Sequence, residues 1–134
     1  MFSKNDFLFL DQIINEMRSV FLVLVVLALQ FSCGQGTTNN FPIASFEQSL
    51  LENAILVDVR TPQEFSQGHL EEAVNINWYD PDFATNFSKI EKEKTIYLYC
   101  KVGGRSLMAM EKLKKLGFKN VINLTGGYDA WIAK

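Results

Sequence analysis

The sequence contains few residues that bind metals or form disulfides: one histidine, His69, and two cysteines, Cys33 and Cys100, among 134 residues. A structural zinc site needs four ligands, mostly cysteine and histidine, so a zinc site of the usual kind is excluded. Two cysteines form at most one disulfide, which does not make the framework of a disulfide-rich secreted scaffold. We therefore expect neither a metal nor another cofactor.

An excess of basic residues is also missing. The chain has 13 Lys+Arg against 15 Asp+Glu, a net charge of -2. Proteins that bind a phosphate backbone carry clusters of positive charge, so we expect no nucleic-acid partner. Hydrophobic residues make up 48% of the chain and charged residues 21%. These proportions are typical of a globular protein, and the length fits one domain.

The apolar run near the N-terminus is too short to span a membrane. It covers residues 20–29, whereas a membrane-spanning helix needs about 20 apolar residues. A run of ten is typical of a secretory signal peptide, which begins with a short basic segment. Met17 and Arg18 stand just before the run, while residues 1–16 contain more acidic than basic residues. This pattern indicates that translation begins at Met17.

Cys33 follows the apolar run, with the small residues Ser32 and Gly34 on either side. The arrangement resembles the lipobox of bacterial lipoproteins, although Gln30 stands where that family usually has an aliphatic residue. The resemblance implies that Cys33 is lipidated and becomes the mature N-terminus, anchored to a membrane on the periplasmic side of the cell envelope. An ordinary cleaved signal, an uncleaved anchor and a buried core helix are the alternatives for this segment.

The chain then divides into a signal segment over residues 1–33, a flexible polar tether over residues 34–41 and a folded domain over residues 42–134. In the folded domain, β-branched and apolar runs alternate with helical patterns. The predicted strands cover residues 54–59, 73–76, 95–99 and 121–124. This alternation predicts an α/β fold, a small parallel β-sheet with helices on both faces.

Two segments of the folded domain have the pattern of a capping box, in which the first and fourth residues bind each other's backbone amides. They are Ser45–Gln48 and Thr61–Glu64, and the second has Pro62 at the first helical position. We expect a short helix to begin at each.

The segment that carries the most chemistry is the loop that starts at Cys100, directly after the predicted strand 95–99. Ligands of parallel sheets bind at the carboxyl ends of the strands. A pair of glycines lets successive amides turn inward, and the amides and the next helix terminus favour a thiolate or a bound anion. We identify Cys100 as a candidate nucleophile, with an anion-binding loop formed by Lys101, Val102, Gly103, Gly104 and Arg105. The alternative is that Cys100 is a small buried hydrophobic residue.

Several motifs in the folded domain together resemble those of the rhodanese-like domain. In chain order they are Asp58–Arg60, Glu64–Phe65, Gly68–Leu70, Ala73–Ile76, Cys100–Ser106, Leu116–Phe118 and Gly126–Gly127 followed by Trp131. The resemblance covers about residues 43–134. Glu71 and Glu72 depart from it, since the family commonly has proline and glycine there.

The resemblance implies a single-domain sulfurtransferase. Cys100 would attack a small anionic sulfur donor such as thiosulfate, carry the sulfur as a persulfide and pass it to cyanide or a thiol. The amides of residues 101–105 would stabilise the sulfur, and Arg105 would hold the donor. Asp58, Arg60 and His69 would be framework residues near the site. We expect a monomer.

Two other functions fit parts of the pattern. Related dual-specificity phosphatases have five residues between the cysteine and the arginine of the loop, whereas four separate Cys100 from Arg105. The shorter loop disfavours a tetrahedral phosphate. A non-catalytic module for binding or sulfur relay in the cell envelope is the second alternative, and degenerate modules of that kind usually lack the cysteine.

Overall fold

The computed structural model describes residues 4–29 and 39–134. The chain forms two compact units, Met1–Thr37 and Thr38–Lys134. In the first unit, helix α1 spans Lys4–Leu29. Among the described residues, none of the helices combines the length and the apolar character needed to cross a membrane. Cys33 lies outside the described residues, so its lipidation stays a prediction.

In the second unit, strands and helices alternate along the chain. The strands are β1 (Asn40–Pro42), β2 (Ala54–Asp58), β3 (Val74–Asn75), β4 (Thr95–Tyr99) and β5 (Val121–Thr125). The α-helices are α2 (Pro62–Ser66), α3 (Phe83–Phe87), α4 (Gly104–Lys115) and α5 (Gly127–Ile132), and 3₁₀ helices cover Ile43–Ser45 and Gln48–Leu51. The strands pair in parallel in the order β1-β5-β4-β2-β3. The predicted α/β fold with a parallel sheet is confirmed.

Apolar side chains on the two faces of the sheet form separate cores. Successive residues of a strand point to opposite faces, so Leu56 enters one core and Val57 the other. The first core contains Val57, Val59, Phe83, Phe87, Ile96, Leu98, Cys100, Ala109, Met110, Leu113, Phe118 and Val121. The second contains Ile43, Phe46, Leu56, Leu70, Tyr99 and Leu124. Burial on both faces explains why β2 and β4 are almost continuously apolar.

Strand β1 lies at the sheet edge, and the sequence pattern did not predict it. Asn40 and Phe41, assigned from sequence to the tether, pair with Asn123 and Leu124 of β5. The amide of Asn123 donates to the carbonyl of Asn39 at 2.7 Å. The described fold therefore begins before residue 42. The pattern failed here because backbone pairing with a distant strand, rather than apolar periodicity, holds this segment.

One of the two predicted capping boxes forms. The hydroxyl of Thr61 accepts from the amide of Glu64 at 3.3 Å, and the Glu64 carboxylate accepts from the amide of Thr61 at 3.0 Å. The prediction at Ser45–Gln48 is wrong, because Ser45 ends one 3₁₀ helix and Gln48 begins the next. The Gln48 side chain instead donates to the carbonyl of Glu71 at 3.1 Å.

Glu72 adopts a left-handed backbone conformation, with φ at 61°. Its side chain is exposed, and it stands where the resemblance to known sequences expects glycine. A residue with a Cβ atom pays roughly 1 kcal/mol to adopt this conformation, whereas glycine adopts it freely. The turn between α2 and β3 therefore carries local backbone strain.

We expect Glu72→Gly to raise the free energy of unfolding of the full chain by roughly 0.5–1 kcal/mol, since it removes this strain. Urea denaturation measures the difference. Glu71→Gly is the matched control, because Glu71 is an exposed neighbour without a positive φ and the substitution only adds freedom to the unfolded chain. A Glu72→Gly variant that is no more stable than the wild type, or that loses as much stability as Glu71→Gly, would contradict the strain at Glu72.

Candidate active site

Cys100 lies at the carboxyl end of β4, and the loop that follows curls around its sulfur. The amide of Gly103 donates to Cys100 Sγ at 3.0 Å. Gly103 has φ at 109°, a conformation that side-chain-bearing residues rarely adopt. The inward-turned amides expected from the glycine pair are thus present, and one glycine of the pair makes the turn.

The first turn of α5 holds the outer side of this loop. The amide of Tyr128 donates to the carbonyl of Cys100 at 2.8 Å, and the amide of Asp129 donates to the carbonyl of Lys101 at 3.0 Å. Gly127 has φ at 61°, and a side chain there would collide with both carbonyl groups. Because the carbonyl of Lys101 faces α5, the amide of Val102 in the same peptide group faces the sulfur.

The surroundings of the sulfur favour its charged form. Burial raises the pKa of the Cys100 thiol, whereas the hydroxyl of Ser106 lowers it. The backbone amides of residues 102, 103 and 106 lower it further, so that the pKa lies below its ordinary value. The hydroxyl of Ser106 lies 3.4 Å from Cys100 Sγ and is fully buried.

Arg105 forms a two-pronged ion pair with Glu64 of α2. Each terminal nitrogen of the guanidinium donates to one carboxylate oxygen, both at 2.7 Å. The hydrogen bonds from Arg105 lower the pKa of Glu64 to about 2, with the Thr61 hydroxyl and amide adding to the effect. The role of Arg105 in holding an anionic donor stays a prediction, and both of its terminal nitrogens also bind a side chain of the protein.

Asp58 and Arg60 form a buried ion pair beside the loop, as expected of framework residues. The Arg60 guanidinium donates to Asp58 at 2.7 Å and to the carbonyl of Gly68 at 2.7 Å, and its charge lies 4.1 Å from the centre of the Tyr128 ring. The Asn75 side chain donates to the carbonyls of both Asp58 and Arg60. These contacts connect β2, β3 and α5 below the active-site loop.

His69 packs against Phe65 of α2. Its ring stacks on Phe65 with centroids 3.7 Å apart, and its Nδ1 lies 2.9 Å from the carbonyl of Phe65. These contacts fit a framework residue rather than a general base.

A cleft of about 250 Å³ lies next to the loop. Lys101 lines it from the loop, and the other lining residues are Arg60, Glu64, Gln67, Tyr128, Asp129 and Ile132. Val102 is 65% exposed at the loop surface. Gly104 has an ordinary φ and open space around it, so the turn of the loop depends on Gly103 and not on Gly104.

Three parts of this site were not assigned from the sequence: the side chains of Ser106 and Glu64, and the backbone amides of α5. Ser106 and Glu64 stood in the recognised motifs, but neither was assigned to the site. A hydroxyl in the first turn of the helix after the cysteine was the available signal for Ser106. The α5 amides left no signal apart from the glycine pair Gly126–Gly127, because any residue type can donate a backbone hydrogen bond.

Among the described residues, no cluster of three or more histidine, cysteine, aspartate or glutamate side chains could hold a metal.

The fold and the site together define a class of small domains: a parallel α/β sheet with a cysteine at the carboxyl end of a strand and backbone amides that face its sulfur. The rhodanese-like domain model matches residues 44–134 of this chain. The chain belongs to the rhodanese-like domain family.

Named relatives and solved structures agree with this membership. The chain is 36% identical over 80 residues to a sulfurtransferase from Allochromatium vinosum, covering 60% of this chain and 73% of that protein. It is 38% identical over 92 residues to chloroplastic thiosulfate sulfurtransferase 16 from Arabidopsis thaliana, covering 61% and 77%. A rhodanese-like domain protein from Staphylococcus aureus has a similar structure, with a TM-score of 0.60, 29% identity and coverage of 69% and 89%.

The loop geometry predicts different results for its two glycines. We expect Gly103→Ala to destabilise the full chain by about 1–2 kcal/mol in urea denaturation, because alanine resists the positive φ. We also expect slower alkylation of Cys100, because the amide at 103 moves away from the sulfur. Gly104→Ala is the matched control and should be neutral or stabilising, since it adds a better helix former in open space. Equal losses from both variants would contradict the loop description.

The Glu64 carboxylate makes stability depend on pH. Its pKa is about 2 in the fold against an ordinary value of 4.5, so its contribution is complete above 4.5 and is lost as pH falls towards 2. We expect Glu64→Gln to cost about 1–2 kcal/mol at pH 7, because the amide keeps the shape but not the charge. Urea denaturation from pH 7 to pH 3 should show the wild type and the variant converging. A constant gap between them would contradict the ion pair.

Proposed function

We propose that this chain is a sulfurtransferase in which Cys100 carries a sulfane sulfur from a small anionic donor, such as thiosulfate, to a thiol or cyanide. The observation that carries the proposal is the environment of Cys100 Sγ. A hydroxyl and several backbone amides face the sulfur, and they lower the pKa of its thiol despite burial. A thiolate at neutral pH is the form that attacks sulfur. The similarity to a protein named thiosulfate sulfurtransferase supports the same donor.

The proposed reaction has two balanced steps. In the first, the Cys100 thiolate attacks the outer sulfur of thiosulfate, an S–S bond forms to Cys100, and sulfite leaves with the electron pair of the broken S–S bond. In the second, an acceptor thiolate attacks the outer sulfur of the persulfide. A new S–S bond forms on the acceptor, and the Cys100 thiolate leaves with its electron pair. This is covalent catalysis with a stable intermediate.

Burial of Cys100 favours a small donor. The residue is 1% exposed, so a bulky group has little access to Sγ. In the persulfide, the outer sulfur lies one S–S bond, about 2 Å, beyond Sγ. A larger acceptor thiol therefore reaches the loaded sulfur more easily than it reaches the free cysteine.

Positive charge next to the loop supports an anionic donor. Lys101 lines the cleft beside Cys100, and the structure describes no ion pair for it within residues 39–134. Hydrogen bonds to Glu64 raise the pKa of Arg105, and the charge on nearby Cys100 raises it further, so Arg105 keeps its positive charge close to the sulfur. In this proposal, Lys101 attracts the donor. The positive charge of Arg105, held in position by Glu64, adds to the electrostatic attraction.

We expect Cys100→Ser to abolish sulfur transfer and to leave the fold intact, because a hydroxyl matches the shape of a thiol but stays protonated at neutral pH. The full-length wild type, incubated with thiosulfate, should gain the mass of one sulfur atom on the peptide that contains Cys100, and cyanide should remove it. Mass spectrometry of that peptide makes the measurement.

The Cys33→Ser variant is the matched control, because it removes the other cysteine and should keep full transfer activity. Sulfur transfer that persists in Cys100→Ser would contradict the mechanism. A wild type that takes no sulfur from thiosulfate, persulfide or polysulfide would favour the alternative, a non-catalytic module for binding or relay.

We further propose that the chain is exported and held at a membrane through a lipid on Cys33, with translation from Met17. The apolar run over residues 20–29 and the small residues flanking Cys33 support this location. A lipid on Cys33 would leave Cys100 as the one free thiol of the mature chain, which suits a reactive thiol in an oxidising compartment. Residues 34 to 38 would connect the anchor to the folded unit.

The test is expression from Met17 in a bacterial host, followed by membrane fractionation and mass measurement. We expect the wild type to fractionate with membranes and to carry a lipid-modified cysteine. The Cys33→Ala variant should lack the modification. A wild-type chain that stays in the cytoplasm with residues 17–32 still attached would contradict export and would leave the assignment of Cys100 unaffected.

A further inference from the structure

The buried hydroxyl of Ser106 faces two acceptors with one proton to donate. Its oxygen lies 3.4 Å from Cys100 Sγ and 3.1 Å from the carbonyl oxygen of Gly103. A serine hydroxyl carries a single hydrogen, so it donates to one of these acceptors at a time. The charge on the sulfur therefore decides which hydrogen bond is the stronger.

The carbonyl of Gly103 does not depend on this hydroxyl. The amide of Leu107 also donates to it, at 3.1 Å, as the first hydrogen bond of α4. If the hydroxyl turns to the sulfur, the carbonyl keeps one partner and no buried polar group is left unpaired. Rotation of the hydroxyl between the two acceptors is therefore inexpensive.

We infer that Ser106 is a catalytic residue whose hydroxyl proton turns from the Gly103 carbonyl to Cys100 Sγ whenever negative charge collects on that sulfur. The inference rests on the proposed function for its place in the reaction. In the second transfer step, the S–S bond to Cys100 breaks and its electron pair remains on Sγ. The hydroxyl supplies a hydrogen bond to that charge, so Ser106 promotes departure of the cysteine thiolate.

Other charged groups lie near the thiol, and none of them takes the place of the Ser106 hydroxyl as a hydrogen-bond donor to Sγ. Arg105 lies on α4 but is bound to Glu64 of α2. Lys101 and Asp129 line the neighbouring cleft, one from the loop and the other from α5. The buried ion pair of Asp58 with Arg60 lies below the loop on β2 and the residues after it. The side-chain hydrogen bond described for Sγ comes from Ser106.

The test is the pH dependence of Cys100 alkylation by iodoacetamide in the full chain, quantified on the peptide that contains Cys100 so that Cys33 does not contribute. We expect Ser106→Ala to move the midpoint of the profile up by about one pH unit, since a hydrogen bond to a charged group is lost. Ser106→Thr keeps the hydroxyl and should restore the wild-type midpoint. Ser88→Ala is the control, because the Ser88 hydroxyl also donates to a carbonyl three residues back but lies on an exposed turn.

The second measurement is a single turnover of the persulfide. Protein loaded with thiosulfate is mixed with cyanide, and we expect Ser106→Ala to lose its sulfur about tenfold more slowly than the wild type. An unchanged alkylation midpoint in Ser106→Ala would overturn the inference. Failure of Ser106→Ala to fold would also overturn it, because the hydroxyl would then have a structural role. A wild type that never loads sulfur would contradict the proposed function alone, because alkylation needs no sulfur donor.

Discussion

The hydrogen bonds from the first turn of α5 to the carbonyls of Cys100 and Lys101 decide the orientation of the active-site loop. A peptide group points its carbonyl and the amide of the next residue in opposite directions. Once Asp129 holds the carbonyl of Lys101, the amide of Val102 in the same peptide group points to the other side, where the sulfur lies. Gly127 allows the close approach, since a side chain there would collide with the loop. Helix α5 thereby fixes the start of the loop that surrounds the sulfur of Cys100.

A second set of contacts ties the same loop to α2. Glu64 caps the first turn of α2 through Thr61 and at the same time binds both terminal nitrogens of Arg105. A single carboxylate thus orders a helix start and fixes the cation that stands next to the sulfur. This double use explains the low pKa of Glu64, because three groups stabilise its charged form. The loop is held from two sides, by backbone donors of α5 and by a side chain of α2.

Sequence patterns predicted the features of this protein that local chemistry determines. The strand over residues 95–99 is a dense run of β-formers, and Thr61–Glu64 has a capping pattern that needs no distant partner, so both were predictable. Ser45–Gln48 has a similar pattern, yet its glutamine binds the carbonyl of Glu71. Strand β1 and the partner of Arg105 depend on residues far away in the chain. Gly103 and Gly104 look alike in the sequence, and only the backbone geometry separates the required glycine from the replaceable one.

The shortness of the two edge strands limits how copies of this protein can associate. In a parallel sheet, an edge strand offers unpaired backbone groups to any extended segment that comes beside it. Strand β1 has three residues and β3 has two, so each edge presents only one or two repeats of the hydrogen-bonding pattern. A neighbouring molecule gains little from adding a strand at either side. Strand addition at these edges therefore contributes little stability to an extended intermolecular sheet.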